Sequence, residues 1–357
     1  YIVPELCQAA GKSKNTVVSS IGDIVISQRP DLLITGNFHG ADWPLEILPY
    51  LKKKGVPAIV YAHDCYWATG ACAYTGSCTK YLTGCGAEDC VKDPEDYPPC
   101  SMTEIRKNWD YRRKVFSGQT PQPIATNSKW TTDFFTQAFD DKANVKTVRL
   151  GIDTDFFKPE NKNQMRKELG INIDDFVIII GAVNLAEDRK GGKDINLLLQ
   201  QFSHREGIAI ISFGDNSELP GVRAFGRVDE STLIKLFNAS DLFCNLAKEE
   251  AFGQTLLEAS ACGVPIVCYN SGGMMEIARE GENALLAKPG DYETVFKNIE
   301  MLIVNELLKK KLGDQGRKIA VSEFSLEAEY SNWHKYLKEV SLHMTSGTVS
   351  GDSNDTI

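Results

Sequence analysis

Short, continuously apolar segments recur along this chain and alternate with helix-forming segments. These apolar segments are rich in β-branched residues and lack polar alternation, which is typical of strands buried on both faces of a parallel sheet. The nine segments predicted as strands are Leu32–Thr35, Ala58–Ala62, Pro123–Thr126, Val145–Leu150, Phe176–Val183, Ile208–Phe213, Leu242–Asn245, Ile266–Tyr269 and Ala284–Ala287. Helices are predicted between them, for example at Asp194–Phe202, Glu230–Asn238 and Tyr292–Leu312. The alternation predicts an α/β chain with doubly wound parallel sheets.

The length of 357 residues favours two domains. We place an N-terminal domain at 1–152, a second domain at 153–324, a C-terminal helix at 325–344 and a flexible tail at 345–357. With 42% hydrophobic and 24% charged residues the composition is that of an ordinary soluble globular protein. No apolar run approaches the roughly 18 residues that span a bilayer, and no signal peptide is visible. We therefore expect a cytoplasmic protein, and the start at Tyr1 rather than Met leaves open that the true N-terminus is missing.

The net charge of −9 is unevenly distributed. Residues 1–150 hold 17 Lys and Arg against 16 Asp and Glu, a net +1, whereas residues 151–357 hold 22 against 32, a net −10. An acidic second half argues against a nucleic-acid partner. The basic and aromatic run from Arg106 to Lys114 is interpreted first as a solvated helix face. The alternative is contact with a phosphate-bearing acceptor or with the anionic inner face of a membrane, as a peripheral protein.

Ten cysteines are many for this length, and six of them fall between Cys65 and Cys100. Because no secretory signal is visible, disulfides are not the default. Four thiolates, at Cys72, Cys78, Cys85 and Cys90, could hold a structural zinc, but their spacing lacks the close pairing typical of zinc sites. Zinc and disulfides are both left open, and free thiols are the favoured interpretation.

The segment from Ala247 to Val267 carries two carboxylates, Glu250 and Glu258, eight positions apart. Gly263 and Pro265 end a helix that is predicted to begin near Gly253. The start of such a helix can hold a diphosphate, and carboxylates accept strong hydrogen bonds from sugar hydroxyls. The alternative is structural, because Thr255-x-x-Glu258 also matches a capping box.

This segment resembles the donor-sugar site of retaining glycosyltransferases of the GT-B fold, family four. Further motifs of that family follow in the expected order: Arg149–Asp153 with Phe157-Lys158-Pro159, Arg189-Lys190-Gly191-Gly192, Phe225-Gly226-Arg227-Val228 and Ser271–Glu276. In the first half, Tyr61-Ala62-His63-Asp64 matches the place of a family histidine. The stretch from His63 to Cys90 resembles a subgroup that acts in exopolysaccharide and colanic-acid-type synthesis.

The resemblance implies two doubly wound, Rossmann-like domains facing a cleft. Residues 1–152 would be the acceptor-side domain, without the family's usual first strand and glycine loop, and residues 153–324 the nucleotide-sugar-binding domain. It also implies retaining transfer of a sugar from a UDP- or GDP-sugar donor to a glycan, glycolipid or protein-linked glycan acceptor. Lys190 and Arg189 would stabilise the diphosphate, while Glu250 would hold the donor sugar, Glu258 the ribose, and His63 would orient the reacting centre. The other donor-binding positions implied are Gly226, Arg227, Phe252, Gly253, Gln254, Thr255, Gly272 and Gly273. No cofactor and no metal are required by this mechanism.

The sequence departs from the family pattern at three places. Leu246-Ala247 replaces the usual Pro-Ser, Arg189 is adjacent to Lys190 instead of several residues before it, and residues 1–25 lack the usual glycine-rich loop. These departures keep two alternatives open. One is a non-catalytic nucleotide-sugar-binding subunit of a glycosylation complex, and the other is a GT-B epimerase that acts on the nucleotide sugar itself.

Overall fold

The structure is a computed structural model that describes residues 14–41, 43–86, 88–181, 187–214 and 219–346, with the backbone alone for 341–346. The chain divides into two compact units. The N-terminal unit ends at Val148 and also includes the residues from Tyr336 onward, and the C-terminal unit runs from Arg149 to Lys335. The predicted flexible tail lies largely outside the described residues, as do residues 1–13 of the predicted N-terminal domain.

The N-terminal unit contains a four-stranded parallel sheet in the order β1-β2-β3-β4. The strands are β1 (Leu33–Thr35), β2 (Ala58–Ala62), β3 (Ile124–Thr126) and β4 (Val145–Thr147), and the helices of this region are α1 (Lys14–Ser27), α2 (Ile47–Lys53), α3 (Met102–Ser117) and α4 (Lys129–Ala138). Every residue of β2 and β3 is buried, as expected of central strands covered on both faces. The helices pack their apolar sides on this sheet and form one core.

The C-terminal unit contains a six-stranded parallel sheet in the order β10-β9-β8-β5-β6-β7. Its strands are β5 (Phe176–Gly181), β6 (Ile208–Phe213), β7 (Val222–Ala224), β8 (Leu242–Asn245), β9 (Ile266–Tyr269) and β10 (Ala284–Ala287). The accompanying helices are α5 (Lys162–Leu169), α6 (Gly192–Phe202), α7 (Glu230–Ala239), α8 (Gln254–Ala261), α9 (Tyr292–Val304) and α10 (Glu306–Glu323). Two apolar clusters, one on each face of the sheet, form the core. A last helix, α11, spans Leu326–Ser346.

The predicted α/β alternation is confirmed, with local corrections. The strand predicted at Val145–Leu150 ends at Thr147. The helix predicted at Tyr292–Leu312 is two helices, because Asn305 caps α10 by accepting a hydrogen bond from the Leu308 N–H at 3.0 Å. Strand β7 was not predicted, since it has only three residues and two of them are exposed. Residues 182–183 of the predicted strand Phe176–Val183 lie outside the described residues.

The order of strands in the C-terminal unit creates a switch point beside β5. From β5 the chain proceeds to β6 and β7 on one side, and it then returns to β8 on the other side. Ligands of open α/β sheets bind outside the carboxyl ends of the strands at such a point. The loops that follow β5 and β8 are therefore the expected place for a ligand.

No helix in the described part of the chain is long and apolar enough to cross a membrane.

Candidate functional site

The loop after β8 packs directly against the glycine loop after β9. The Gly273 N–H donates to the Glu250 carbonyl oxygen at 2.8 Å, and the Ser271 hydroxyl donates to the Lys248 carbonyl oxygen at 2.6 Å. Gly272 has φ of +58°, and a Cβ atom added there would lie 2.1 Å from the Glu250 carbonyl oxygen. Only glycine fits such an approach, so the glycine loop fixes the backbone that carries Glu250.

The turn after β5 is attached to the same loop. The Lys248 N–H donates to the Arg189 carbonyl oxygen at 2.7 Å. Gly191 has φ of +82°, and a Cβ atom there would lie 2.2 Å from the Leu246 carbonyl oxygen. The predicted motifs at 189–192, 247–258 and 271–276 therefore converge at the carboxyl edge of three neighbouring strands.

This convergence brings Lys190 and Glu250 into direct contact. The Lys190 Nζ lies 2.5 Å from the Glu250 Oε2, and both side chains are largely buried, with 24% and 17% of their surface exposed. The Arg189 guanidinium lies 3.7 Å from the same carboxylate oxygen. It also donates to the Glu187 carboxylate at 2.9 Å and to the Glu249 carbonyl oxygen at 3.1 Å. Arg189 therefore holds the loop together, whereas Lys190 is aimed at Glu250.

Lys248 is a site residue that the sequence reasoning missed. Its Nζ lies 3.0 Å from the Asp188 Oδ1 and 3.6 Å from the Asp194 Oδ2, and its backbone bonds to both neighbouring loops. Lys248 thus links all three loops. The available signal was a basic residue two positions before Glu250 in a loop that follows a buried strand.

Helix α8 begins where predicted, at an uncapped end. Gly253 is the N-cap in a left-handed conformation, with φ of 98° and ψ of 52°, and as a glycine it has no side chain with which to cap the helix. Thr255 is the second residue of α8, so the capping-box alternative is wrong. Uncapped N–H groups and the positive end of the helix dipole suit an anion such as a diphosphate.

Glu258 lies one turn inside α8 and faces a pocket of about 420 Å³. The pKa of Glu258 is raised to about 7, mainly because the carboxyl group is buried; a hydrogen bond from Gln254 lowers it, and the negative charge of Glu230 adds to the rise. Within the described ranges, its Oε2 has no hydrogen-bond partner. The other lining residues are Gly151, Ile152, Asp153, Phe156, Phe157, Glu230, Gln254 and Leu326. Lys190 and Glu250 do not line this pocket, so the two predicted carboxylates occupy different surroundings.

The remaining predicted donor-binding residues differ in how much they offer a ligand. Gly226 is buried with φ of +65°, and its carbonyl oxygen accepts a hydrogen bond from the Gly214 N–H at 2.7 Å. Arg227 is exposed. Phe252 is only 2% exposed, and its ring lies 6.0 Å from that of Phe324 in the core. Its side chain is therefore a core element, and only its backbone remains for ligand contact.

His63 belongs to the N-terminal unit and directly follows β2, as predicted. Its ring centroid lies 4.4 Å from that of Tyr61, and Asn127 donates to its carbonyl oxygen at 3.3 Å. Burial lowers the pKa of His63 below its usual value. The imidazole is therefore neutral at pH 7 and can accept or donate one hydrogen bond.

The nine described cysteines, all except Cys7, form no disulfide with one another. Burial raises the pKa of Cys72 to about 12 and that of Cys85 to about 11. Across the described ranges, no group of three or more His, Cys, Asp or Glu side chains is arranged to hold a metal ion.

Comparison with known proteins shows what the chain resembles in sequence. Residues 216–319 match the profile of the family described as "Glycosyl transferases group 1". N-acetyl-alpha-D-glucosaminyl L-malate synthase of Bacillus anthracis is 25% identical over 220 residues, which cover 58% of this chain and 56% of that protein. The capsular polysaccharide biosynthesis glycosyltransferase CapM of Staphylococcus aureus is 28% identical over 214 residues, covering 53% and 54%. The chain thus spans about half the length of the curated relatives it matches.

Solved structures show the fold over most of the chain. Anabaena HepE in complex with UDP-glucose superposes with a TM-score of 0.67 at 19% identity, covering 90% of this chain and 82% of that one. Sucrose-phosphate synthase from Thermosynechococcus elongatus superposes with a TM-score of 0.70 at 15% identity, covering 96% and 81%. The fold is GT-B, with two parallel-sheet, Rossmann-like units. The family profile and the relatives together support placing the chain among the group 1 glycosyltransferases.

Proposed function

We propose that this chain is a retaining, metal-independent glycosyltransferase. It takes a sugar from a nucleotide-sugar donor and transfers it to a glycan or glycolipid acceptor in polysaccharide or glycoconjugate synthesis. The observation that carries the proposal is the contact between Lys190 and Glu250 at the switch point of the sheet, next to the uncapped start of α8. A cation, a carboxylate and a helix start are the groups that a sugar diphosphate needs side by side.

Each part of the nucleotide-sugar donor is assigned to a protein group, beginning with the diphosphate. Lys190 and the first N–H groups of α8 stabilise the diphosphate, and this stabilisation increases as negative charge develops on the leaving group. Glu250 accepts hydrogen bonds from hydroxyls of the transferred sugar. Glu258 accepts hydrogen bonds from the ribose in its pocket, where one carboxylate oxygen has no partner within the described ranges. Arg189 and Lys248 hold the loops at these positions.

The reaction follows from this placement. The acceptor hydroxyl attacks the anomeric carbon on the face from which the diphosphate leaves. The bond from carbon to phosphate oxygen breaks, the new glycosidic bond forms, and the hydroxyl proton passes to the departing β-phosphate. No protein group needs to act as the base, so catalysis consists of positioning and charge stabilisation. We assign to His63, as a neutral imidazole, the orientation of the reacting centre.

Incubation of the full chain with UDP-glucose, UDP-galactose or GDP-mannose tests the proposal. Each donor is supplied with and without octyl and p-nitrophenyl glycosides as acceptor analogues, and His63→Ala and Glu250→Gln variants are run in parallel. Release of nucleoside diphosphate that requires an acceptor, with retention of the anomeric configuration by NMR, supports transfer. Inversion contradicts the retaining mechanism. Isomerisation of the donor alone indicates an epimerase, and donor binding without turnover indicates a non-catalytic subunit.

A further inference from the structure

The N-terminal unit holds a polar cluster of its own at the carboxyl ends of β1 and β2. These strands are adjacent, and Asn37 and Asp64 each lie two residues beyond the end of a strand. The Asn37 amide donates to the Asp64 Oδ2 at 2.9 Å, and the His39 Nε2 lies 3.4 Å from the same oxygen. Asp64 also accepts a hydrogen bond from the Tyr66 N–H at 2.9 Å. Asn37 and His39 are thus held side by side on one carboxylate.

Both of these side chains retain an unused polar atom. The Asn37 Oδ1 and the His39 Nδ1 are buried and have no hydrogen-bond partner within the described ranges. The His39 side chain is only 6% exposed, so bulk water does not compensate it. Buried polar groups are nearly always paired, and one bound molecule with suitable donors could pair both atoms, because they lie on neighbouring side chains.

The charge state of His39 determines whether such a ligand must donate or accept hydrogen bonds. Burial, and then the positive charge of Arg112, lower the pKa of His39 to about 4, so the imidazole is neutral at pH 7. Its proton lies on Nε2, facing the Asp64 carboxylate, because Nε2 is the nitrogen in contact with that anion. The Nδ1 is then an acceptor, as is the Asn37 Oδ1. A ligand must therefore donate two hydrogen bonds.

The surrounding residues select among possible donors. Arg112 is fully buried and stacks on the Tyr66 ring at 3.9 Å, so its charge disfavours a cationic ligand. Neutral hydroxyl groups remain. The His39 ring lies 4.3 Å from Tyr66 and 5.5 Å from Tyr97, whose surface is 64% exposed. A sugar ring presents hydroxyl groups at its edge and C–H groups on its face. The two acceptor atoms suit the hydroxyl groups, and the exposed aromatic ring suits the C–H face.

We propose that Asn37 and His39, positioned by Asp64, form a subsite for the hydroxyl groups of a neutral carbohydrate, and that this carbohydrate is the acceptor. The assignment of the ligand as acceptor rests on the proposed function, because transfer needs a second carbohydrate besides the donor. Binding of the carbohydrate does not rest on it.

Saturation-transfer NMR with the full chain and the methyl glycosides of glucose, galactose, mannose and N-acetylglucosamine tests the subsite without any turnover. His39→Phe keeps the ring stacking and removes Nδ1, whereas His39→Gln keeps an acceptor. Asn37→Leu removes the amide at similar volume. Gln137→Ala, an exposed amide of the same unit, is the matched control. UDP affinity is measured for every variant by calorimetry.

We expect at least one glycoside to bind the wild-type chain. Its affinity should fall roughly tenfold in His39→Phe and in Asn37→Leu, fall less in His39→Gln, and stay unchanged in Gln137→Ala. UDP affinity should be the same in all of them. The subsite is overturned if no glycoside binds a chain that binds UDP, or if His39→Phe and Asn37→Leu bind as the wild type does. Glycoside binding without UDP binding keeps the subsite and defeats the proposed function instead.

Discussion

Two carboxylates eight positions apart, Glu250 and Glu258, occupy opposite environments. Glu250 lies in the loop before α8 and has Lys190 at 2.5 Å and Arg189 at 3.7 Å. Glu258 lies inside α8, faces a pocket with Glu230, and keeps one buried oxygen without a partner within the described ranges. In the proposed site, one short segment therefore offers the sugar a carboxylate paired with a lysine and offers the ribose a buried carboxylate that has an unpartnered oxygen within the described ranges.

Glu250 and Glu258 also differ in how they affect the stability of the free protein. Glu250 is compensated by its neighbours in the free protein, so its removal leaves Lys190 without its closest anion. Glu258 has a hydrogen bond from Gln254, but its Oε2 has no partner within the described ranges, so its burial costs free energy that a bound ligand can return. Groups that destabilise the free fold in this way are common at binding sites. Substitutions of Glu250, Glu258 and Lys190 should therefore have different effects, of decreasing size in that order.

The largest effect is expected for Glu250→Ala. Turnover should fall about 30- to 150-fold, because loss of a charged hydrogen bond to the sugar costs on the order of 2–3 kcal/mol in the transition state. UDP affinity should be nearly intact. Steady-state kinetics and calorimetry check both parts, with Glu249→Ala as the control on the neighbouring carboxylate. A variant that keeps more than about half of its activity removes Glu250 from the site.

Glu258→Gln should stabilise the protein at pH 8 and not at pH 5. The pKa of Glu258 is about 7 in the folded chain, whereas its ordinary value, taken here for the unfolded chain, is 4.5. Between pH 4.5 and pH 7 the folded state therefore binds more protons than the unfolded state. Stability is therefore lost as pH rises from about 4.5 to 7, and the penalty is complete above that range. The amide removes a penalty on the order of 3 kcal/mol at pH 8.

Thermal unfolding at pH 5 and pH 8 measures this effect. Glu293→Gln is the matched control, because Glu293 is an exposed glutamate of the same unit that does not line this pocket. An equal melting temperature of Glu258→Gln and the wild type at pH 8 would show that Glu258 is not the strained carboxylate described above.

Lys190→Ala should weaken the binding of UDP and GDP about tenfold, and that of uridine and guanosine much less, because an ammonium acts on phosphate as a point charge. Calorimetry with the four ligands measures the difference, and Lys193→Ala, an exposed lysine at the start of α6, is the control. Equal losses for nucleotides and nucleosides would remove Lys190 from the diphosphate.

Brief EDTA treatment should leave the rate of sugar transfer unchanged. In the proposed mechanism the charge on the leaving diphosphate is met by Lys190 and the start of α8. The transfer rate before and after chelation is the measurement. Loss of transfer that Mg²⁺ or Mn²⁺ restores would show the metal-independent mechanism to be wrong.

The fold could be predicted from sequence because continuous apolar runs report buried parallel strands directly. The contact between Lys190 and Glu250 could not, because it joins residues 60 positions apart and requires that β8 lie beside β5. The spacing of Glu250 and Glu258 was visible, but their difference was not. It arises from Phe156, Phe157 and Glu230, which approach Glu258 from distant parts of the chain.

In the N-terminal unit, too, contacts between residues distant in sequence could not be predicted. His63 was found because a family pattern includes it, whereas Asn37 and His39 carry no motif. Their meaning depends on the pairing of β1 with β2, which brings both side chains to Asp64. The signal that was present is a polar residue shortly after each of two apolar strands.

The most direct test of the central contrast is a calorimetric titration of UDP and UDP-glucose into the wild-type chain, Glu250→Gln and Glu258→Gln at pH 8. If Glu250 holds the sugar and Glu258 the ribose, Glu250→Gln loses the added affinity of UDP-glucose over UDP and keeps its affinity for UDP. Glu258→Gln should weaken both ligands by the same factor. Identical behaviour of the two variants, or an unchanged affinity for UDP in Glu258→Gln, would contradict the account.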